Sequence, residues 1–197
     1  METIVVIADG TPDDIVFSIV RYHMNGRKVV GVVKPHERTG LSAVYEVPTY
    51  LKMKICNVLL LIDQEEMNLE NIFFELSKRL KECGIEIKKE DKSIERRIGV
   101  YEGIHGQKRF NLIVVVNGLE EIKTKRHSIE DHLIKVAKTV NLGNLEEFNN
   151  SKDAWESLKE DDRLRIYEFL KNRKEVSNFL PQQVEGCKRL ENLKPLL

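Results

Sequence analysis

Two short runs of this chain are apolar at every position and stop at an aspartate, which narrows the choice of fold more than any other feature. Ile4-Val5-Val6-Ile7-Ala8 precede Asp9, and Val58-Leu59-Leu60-Leu61-Ile62 precede Asp63. A strand with one wet face alternates apolar and polar residues. A strand apolar throughout is buried on both faces, which is the condition of a parallel sheet covered by helices. Ligands of such sheets sit beyond the carboxyl ends of the strands. Asp9 and Asp63 fall there, with Asp13 and Asp14 close behind the first and Glu65 and Glu66 behind the second.

The rest of the chain reads as the partners such a sheet needs. Thr11-Pro12-Asp13-Asp14 opens a helix with Thr as N-cap, Pro at the first helical position and acids in the first turn. Its apolar stripe is Ile15, Val16, Ile19, Val20 and Tyr22, and Asn25-Gly26 ends it. A strand over 28–33 follows, then an irregular stretch with a helical turn over 39–53. Asn68 caps a helix with Leu69, Ile72, Phe73, Leu76 and Leu80 inward, and Gly84 stops it. Ile85 and Ile87 alternate with charges, as in an exposed strand. Residues 97–102 and 108–116 read as strands of a hairpin, with Gly103 to Gly106 as the loop. Ser128 opens a further helix with Ile129, Leu133, Val136 and Val140 inward. Beyond Gly143 no strand pattern appears. The expectation is an α/β domain over 1–143, with a mostly parallel central sheet of about four to six strands and helices on both faces. A C-terminal helical extension over 144–197 packs on or beside it, and an exposed apolar stripe there would make the chain a homo-oligomer.

Composition removes several classes of function. Lys+Arg and Asp+Glu are equal at 32 each, so any nucleic-acid-binding surface is local rather than a general basic excess. The high charge, with few Gln, resembles thermophile compositions. Cys56, Cys83 and Cys187 are far apart and form no C-x-x-C pair, which disfavours a zinc ribbon or thiol redox site. Met1-Glu2 leads straight into a strand without a signal-peptide pattern, and no apolar run is long enough for a membrane span. A reducing, cytoplasmic setting without membrane attachment is the expectation. There is no G-x-S-x-G, no P-loop and no G-x-G-x-x-G turn.

The carboxylates are the candidate chemistry. Asp9 leaves a strand end and Asp13 lies on the first turn of the next helix, near the same spot. Asp63 and Glu65, at alternate positions past the second strand, would point into one cleft. Each pair also has a structural reading, as turn former, solvated loop or complement to a helix dipole. Carboxylates gathered from two strands repel unless a proton or cation compensates. Oxygen-only ligands select Mg²⁺, Mn²⁺ or Ca²⁺ over zinc. Glu130 or Asp131 is a further candidate ligand, although Ser128 and Asp131 have nearly the spacing of a capping box. His127 and His132 are alternatives as ligands or acid–base groups. Arg96, Arg97, Lys108 and Arg109 flank the hairpin, would lie near one another, and are candidate phosphate contacts. Solvated charge on an edge strand is the other reading of these four. A third basic cluster runs from Lys123 to Arg126.

With these residues in view, the chain resembles the TOPRIM domains, the topoisomerase–primase fold of many metal-dependent nucleic-acid enzymes. Asp9-Gly10-Thr11-Pro12-Asp13 resembles the family's acid-Gly motif, and Asp63-Gln64-Glu65 its later Asp-x-Asp motif, with a strand between them. Ile129-Glu130-Asp131-His132-Leu133 resembles a third acidic element of small TOPRIM-like proteins related to OLD-family nucleases. Asp162 to Leu170 is similar to the helical tail of one branch of that group. The resemblance implies a Mg²⁺- or Mn²⁺-dependent, nuclease-like protein. Asp63, Glu65 and Glu130 would hold the metal, Asp13 would support it, and Asp9 would transfer the proton. Two positions depart from the family pattern: Asp9 stands where Glu is usual, and Glu65 where Asp is usual. The alternative is a non-catalytic TOPRIM-like binding or scaffold protein with a degenerate acidic site. A third reading is a small-molecule enzyme that takes a phosphorylated metabolite in the same crevice.

Overall fold

The computed structural model describes residues 4–8, 10–23, 30–35, 37–142, 148–172 and 174–193. The two apolar runs form strands β1 (Ile4–Ile7) and β3 (Asn57–Asp63), paired side by side in parallel. Between them lie α1 (Asp13–His23), β2 (Val30–Val33), a 3-10 helix (Gly40–Glu46) and α2 (Val47–Lys52). After β3 come α3 (Leu69–Glu82), β4 (Ile85–Ser93), β5 (Ile98–His105), β6 (Lys108–Asn117) and α4 (Ile129–Thr139). The chain continues through α5 (Ser151–Ser157), α6 (Glu160–Asn172), a 3-10 turn (Val176–Asn178) and α7 (Pro181–Glu191).

The six strands form one sheet in the order β2-β1-β3-β6-β5-β4. The first four are parallel, while β5 and β4 close one edge in antiparallel pairing. The chain moves from β1 outward to β2, then returns to place β3 on the other side of β1. That reversal is the topological switch point, where open α/β sheets leave a crevice at their carboxyl ends. Alternation along the strands feeds two cores. Val6, Leu59, Leu61, Ile113 and Val115 pack with α1, α4 and the C-terminal helices. Val5, Ile7, Leu60, Ile62 and Val114 pack with α2 and α3. Because side chains alternate, Asp63 and Asn117 project to the same face as Leu61 and Val115.

The C-terminal helices belong to the first of these layers. Trp155, Ile166, Leu170, Leu180 and Leu190 are buried there. Gly186 sets the approach of α7, because a Cβ at that position would lie 2.5 Å from Val115 Cγ2. The extension thus packs on the sheet.

Local readings are corrected in three places. Residues 40–52 are helical rather than irregular: Pro48 sits in the first turn of α2, where its missing N–H costs nothing, and Ala43, Val44, Val47 and Leu51 are buried. On α1, Ile15 and Tyr22 are exposed and Phe17 takes the inward place. The expected end of that helix, Asn25-Gly26, lies outside the described residues. Finally, β5 continues through Gly103, Ile104 and His105, which pair with β6, so only Gly106 and Gln107 turn the hairpin. No helix among the described residues is long and apolar enough to cross a membrane.

Candidate functional site

The carboxyl ends of β3 and β6 meet the first residue of α1 in a buried polar cluster. Asp63 and Asn117 are register partners in the sheet. The fully buried amide of Asn117 donates through Nδ2 to Asp63 Oδ1 at 3.0 Å and to Asp13 Oδ1 at 2.7 Å. One amide nitrogen therefore gathers carboxylates from two elements on either side of the switch point. Asp63 Oδ1 also accepts from the Ile129 N–H at 3.0 Å. That N–H is one of the first-turn donors of α4, left without an intrahelical partner by helix geometry and favourable to an anion.

The orientation of Asn117 is set from the C-terminal layer. Gln183 of α7 donates through Nε2 to Asn117 Oδ1 at 2.8 Å, and with that oxygen engaged the NH₂ must face the two aspartates. His132, fully buried, stands beside Gln183 and donates through Nδ1 to the Phe179 carbonyl at 2.7 Å. Burial is the main cause that pushes its pKa down to about 3, and the nearby Arg97 and Lys135 charges act the same way. It is held neutral, with Nδ1 on the Phe179 carbonyl and Nε2 facing the Gly118 N–H.

The remaining predicted residues are distributed as follows. Glu65 lines the same small cleft as Asp63, of about 60 Å³, as the alternate spacing implies. Its carboxylate, however, accepts from Arg126 Nε at 2.6 Å, and its backbone pairs with His127. Glu130 is buried near Ser128 and Lys152, and desolvation raises its pKa above the usual carboxylate value. The phenol of Tyr167, on α6, is pushed up to about 12, chiefly by burial and further by the fields of Asp14, Glu130 and Asp13, against the lowering field of Arg163. Asp9 lies outside the described residues. Among the described residues no three His, Cys, Asp or Glu side chains come together to hold a metal ion. The pair that does converge, Asp13 with Asp63, suits a small hard cation that completes its shell with water and phosphate oxygens.

The capping-box reading of Ser128 and Asp131 is also corrected. Ser128 is the N-cap residue of α4, but its side chain makes no cap hydrogen bond. Asp131, fully buried, instead accepts from the Leu119 N–H at 3.0 Å, from His127 Nδ1 at 2.7 Å, and from the Ser151 hydroxyl. His127 packs over Gly118, where a Cβ would lie 2.6 Å from the His127 Cβ, so this close approach needs glycine. The side chain of Asp131 thus ties the 118–127 loop to α5.

The four proposed phosphate contacts do not form one patch. Ile98 pairs with Val115 and His105 with Lys108. The two basic pairs are therefore at opposite ends of β5, roughly 25 Å apart at about 3.3 Å per residue. The first residues of two antiparallel strands lie at opposite ends of the hairpin, so pairs that begin each strand are separated by the strand's length. Arg96 is ion-paired with Glu185 at 3.3 Å. Arg97 is buried, with its guanidinium bonded to Gln64 and 3.5 Å from Glu120. Desolvation lowers its pKa, against the raising effects of Glu120 and Asp131. Lys108 donates to the Leu51 and Lys52 carbonyls at 3.2 and 3.4 Å. Arg109 lies at the far end of the sheet from the acidic crevice.

Asn117, the residue that organises the cluster, was open to the same rule that marked Asp9 and Asp63. It ends the apolar run Leu112 to Val116, but an uncharged amide at a strand end does not by itself signal chemistry. Gln183 and Ser151 carry no such signal, because their roles depend on how the tail folds back. Compared with protein-family models, curated proteins and solved structures, the chain finds no match.

Proposed function

We propose that this chain is a TOPRIM-like protein that acts, with a divalent cation, on nucleic-acid phosphodiesters, and that Asp13 and Asp63 hold the ion. The observation that carries this reading is the Asn117 amide, which draws the two carboxylates together at the switch point of the sheet. Two carboxylates, with water and phosphate oxygens completing the shell, would suit Mg²⁺ or Mn²⁺. When bound, such an ion polarises the phosphoryl group and stabilises the leaving oxygen. The protein's own part is orientation: Gln183 fixes Asn117, Asn117 fixes both aspartates, and the α4 N-terminus holds Asp63. Arg126 and Lys152, which line the cleft beside Asp63, would take phosphate oxygens. Glu65 would act through Arg126 rather than as a ligand, and Glu130 would border the site as a buried carboxyl. Asp9, next in sequence after β1, keeps the proton-transfer role that the resemblance implies.

The test is a calorimetric Mn²⁺ titration of the wild type and of Asp63→Asn, followed by an assay for Mn²⁺-dependent cleavage of DNA and RNA. Binding that is lost in the variant, with cleavage by the wild type, supports the proposal. Absence of Mn²⁺ binding in the wild type refutes it. A second reading, a non-catalytic TOPRIM-like binding or scaffold protein, has its own support. A neutral amide and a helix N-terminus already stabilise the acid pair, and Arg126 occupies Glu65. Binding of nucleic acid without cleavage at any Mn²⁺ concentration would favour it.

A further inference from the structure

The third basic cluster of the sequence runs from Lys123 to Arg126, and Arg126 borders the Asp63 cleft. The cluster lies in the loop between β6 and α4. Lys123 and Lys138, the latter on α4, line a mostly polar cavity of about 380 Å³ together with Glu121, Phe148 and Asn150, beside the apolar side chains of Ile122 and Ile134. The side-chain ammonium of neither lysine has an ion-pair or hydrogen-bond partner among the described residues. Lys135, one turn from Lys138, is by contrast bonded to Glu121 at 2.6 Å. Phe148 is 37% exposed beside this cavity, a large apolar ring left open to solvent. Asn150 borders both the cavity and the Asp63 cleft, so Arg126 and Lys152 continue the cationic lining to the acidic crevice.

We infer that a single-stranded nucleic-acid segment approaches the crevice through this cavity, with one base against Phe148 and the flanking phosphates on Lys123 and Lys138. This rests on the reading of the acidic crevice as a phosphodiester site. Lysines with no ion-pair partner among the described residues, beside apolar side chains and an exposed aromatic ring, are the elements by which proteins grip single strands: phosphate contacts for position and a stacking platform for the base. The cavity is at the small end of ligand pockets, which suits one nucleotide at a time. A chain with balanced charge can grip a polyanion only along such a local track. The track replaces the hairpin patch, whose members are separated or internally bonded.

The test is fluorescence anisotropy with a short labelled oligodeoxythymidine, in EDTA so that the metal does not contribute. Four proteins are compared over a range of salt: wild type, Lys123→Ala/Lys138→Ala, Phe148→Ala and Arg109→Ala. The double variant is expected to weaken binding at least tenfold and to reduce the slope of log affinity against log salt by about 1.4, at about 0.7 per phosphate contact on a single strand. Phe148→Ala should weaken binding roughly fivefold or more with the salt slope unchanged. Arg109→Ala should bind as the wild type does. The inference is overturned if the wild type does not bind the oligonucleotide, if the lysine pair can be removed without effect, or if thymidine monophosphate binds and the strand does not. Loss of this inference alone leaves Asp63-dependent Mn²⁺ binding intact, whereas failure of the functional reading removes that binding as well.

Discussion

Replacing Asn117 with Asp should destabilise the protein strongly at neutral pH and much less in mild acid. In the native cluster the Asn117 amide donates to Asp13 at 2.7 Å and to Asp63 at 3.0 Å. Hydrogen bonds to charged groups contribute about 1.5–3 kcal/mol each, so loss of both costs about 3–6 kcal/mol. That is a large part of the roughly 5–15 kcal/mol that holds a domain together. The new carboxylate nearly matches the amide in shape and can still accept from Gln183, so packing is preserved and the change is electrostatic. Three carboxylates in one buried cluster raise one another's proton affinity. Their folded-state pKa values then lie above the unfolded ones, so stability is present at low pH and is lost as pH rises through the folded values. The assay is urea denaturation of wild type and variant at pH 7 and pH 5, with the difference taken at each pH so that other titrating groups cancel. A deficit at pH 7 that shrinks by half or more at pH 5 is expected. A deficit below about 1 kcal/mol, or one equal at both values, would refute the view that Asn117 balances the acid pair.

Other parts of the structure give further tests. Gly186→Ala should destabilise, although alanine favours helices by about 1 kcal/mol. The added methyl would meet the stiff side chain of Val115 at 2.5 Å, and overpacking costs typically about 1–3 kcal/mol. A raised melting temperature would show that α7 does not lie against β6 in this way. His132 should remain neutral in ¹⁵N-edited NMR down to pH 5, because burial pushes its pKa down to about 3. The unfolded chain gains that proton near pH 6.5 while the native state does not, so this group's contribution to stability falls as pH drops between those values. A ring that titrates near its ordinary value would contradict the buried Phe179 contact. Cys187 is buried with its thiol pushed up to about 12, so in the native protein a disulfide reagent should modify the half-buried Cys56 and Cys83 and reach Cys187 only on unfolding.

The sequence by itself determined the layered architecture. Runs apolar at every position demanded a sheet covered on both faces, and β1, the middle of β3 and the second half of β6 carry such runs. Local chemistry also marked α3, whose Asn68 accepts from the Asn71 N–H as an N-cap should. The convergence of Asp13 with Asp63 was readable in outline, because the end of a parallel strand and the start of the next helix are fixed by short-range pattern. Where a side chain turns once the strand ends is a different matter. Glu65 has a left-handed backbone, with φ of 56°, and its carboxylate meets Arg126, an ion pair between residues far apart in sequence. The separation of Arg97 from Lys108 follows from antiparallel pairing, which puts the first residues of β5 and of β6 at opposite ends of the hairpin. Asn117 and Gln183 became a unit only when α7 folded back over β6. Secondary structure follows from periodicities within a few residues. The hydrogen bonds that aim the acidic pair join positions 54, 66 and 104 residues apart, and only the packed tertiary structure brings them within reach.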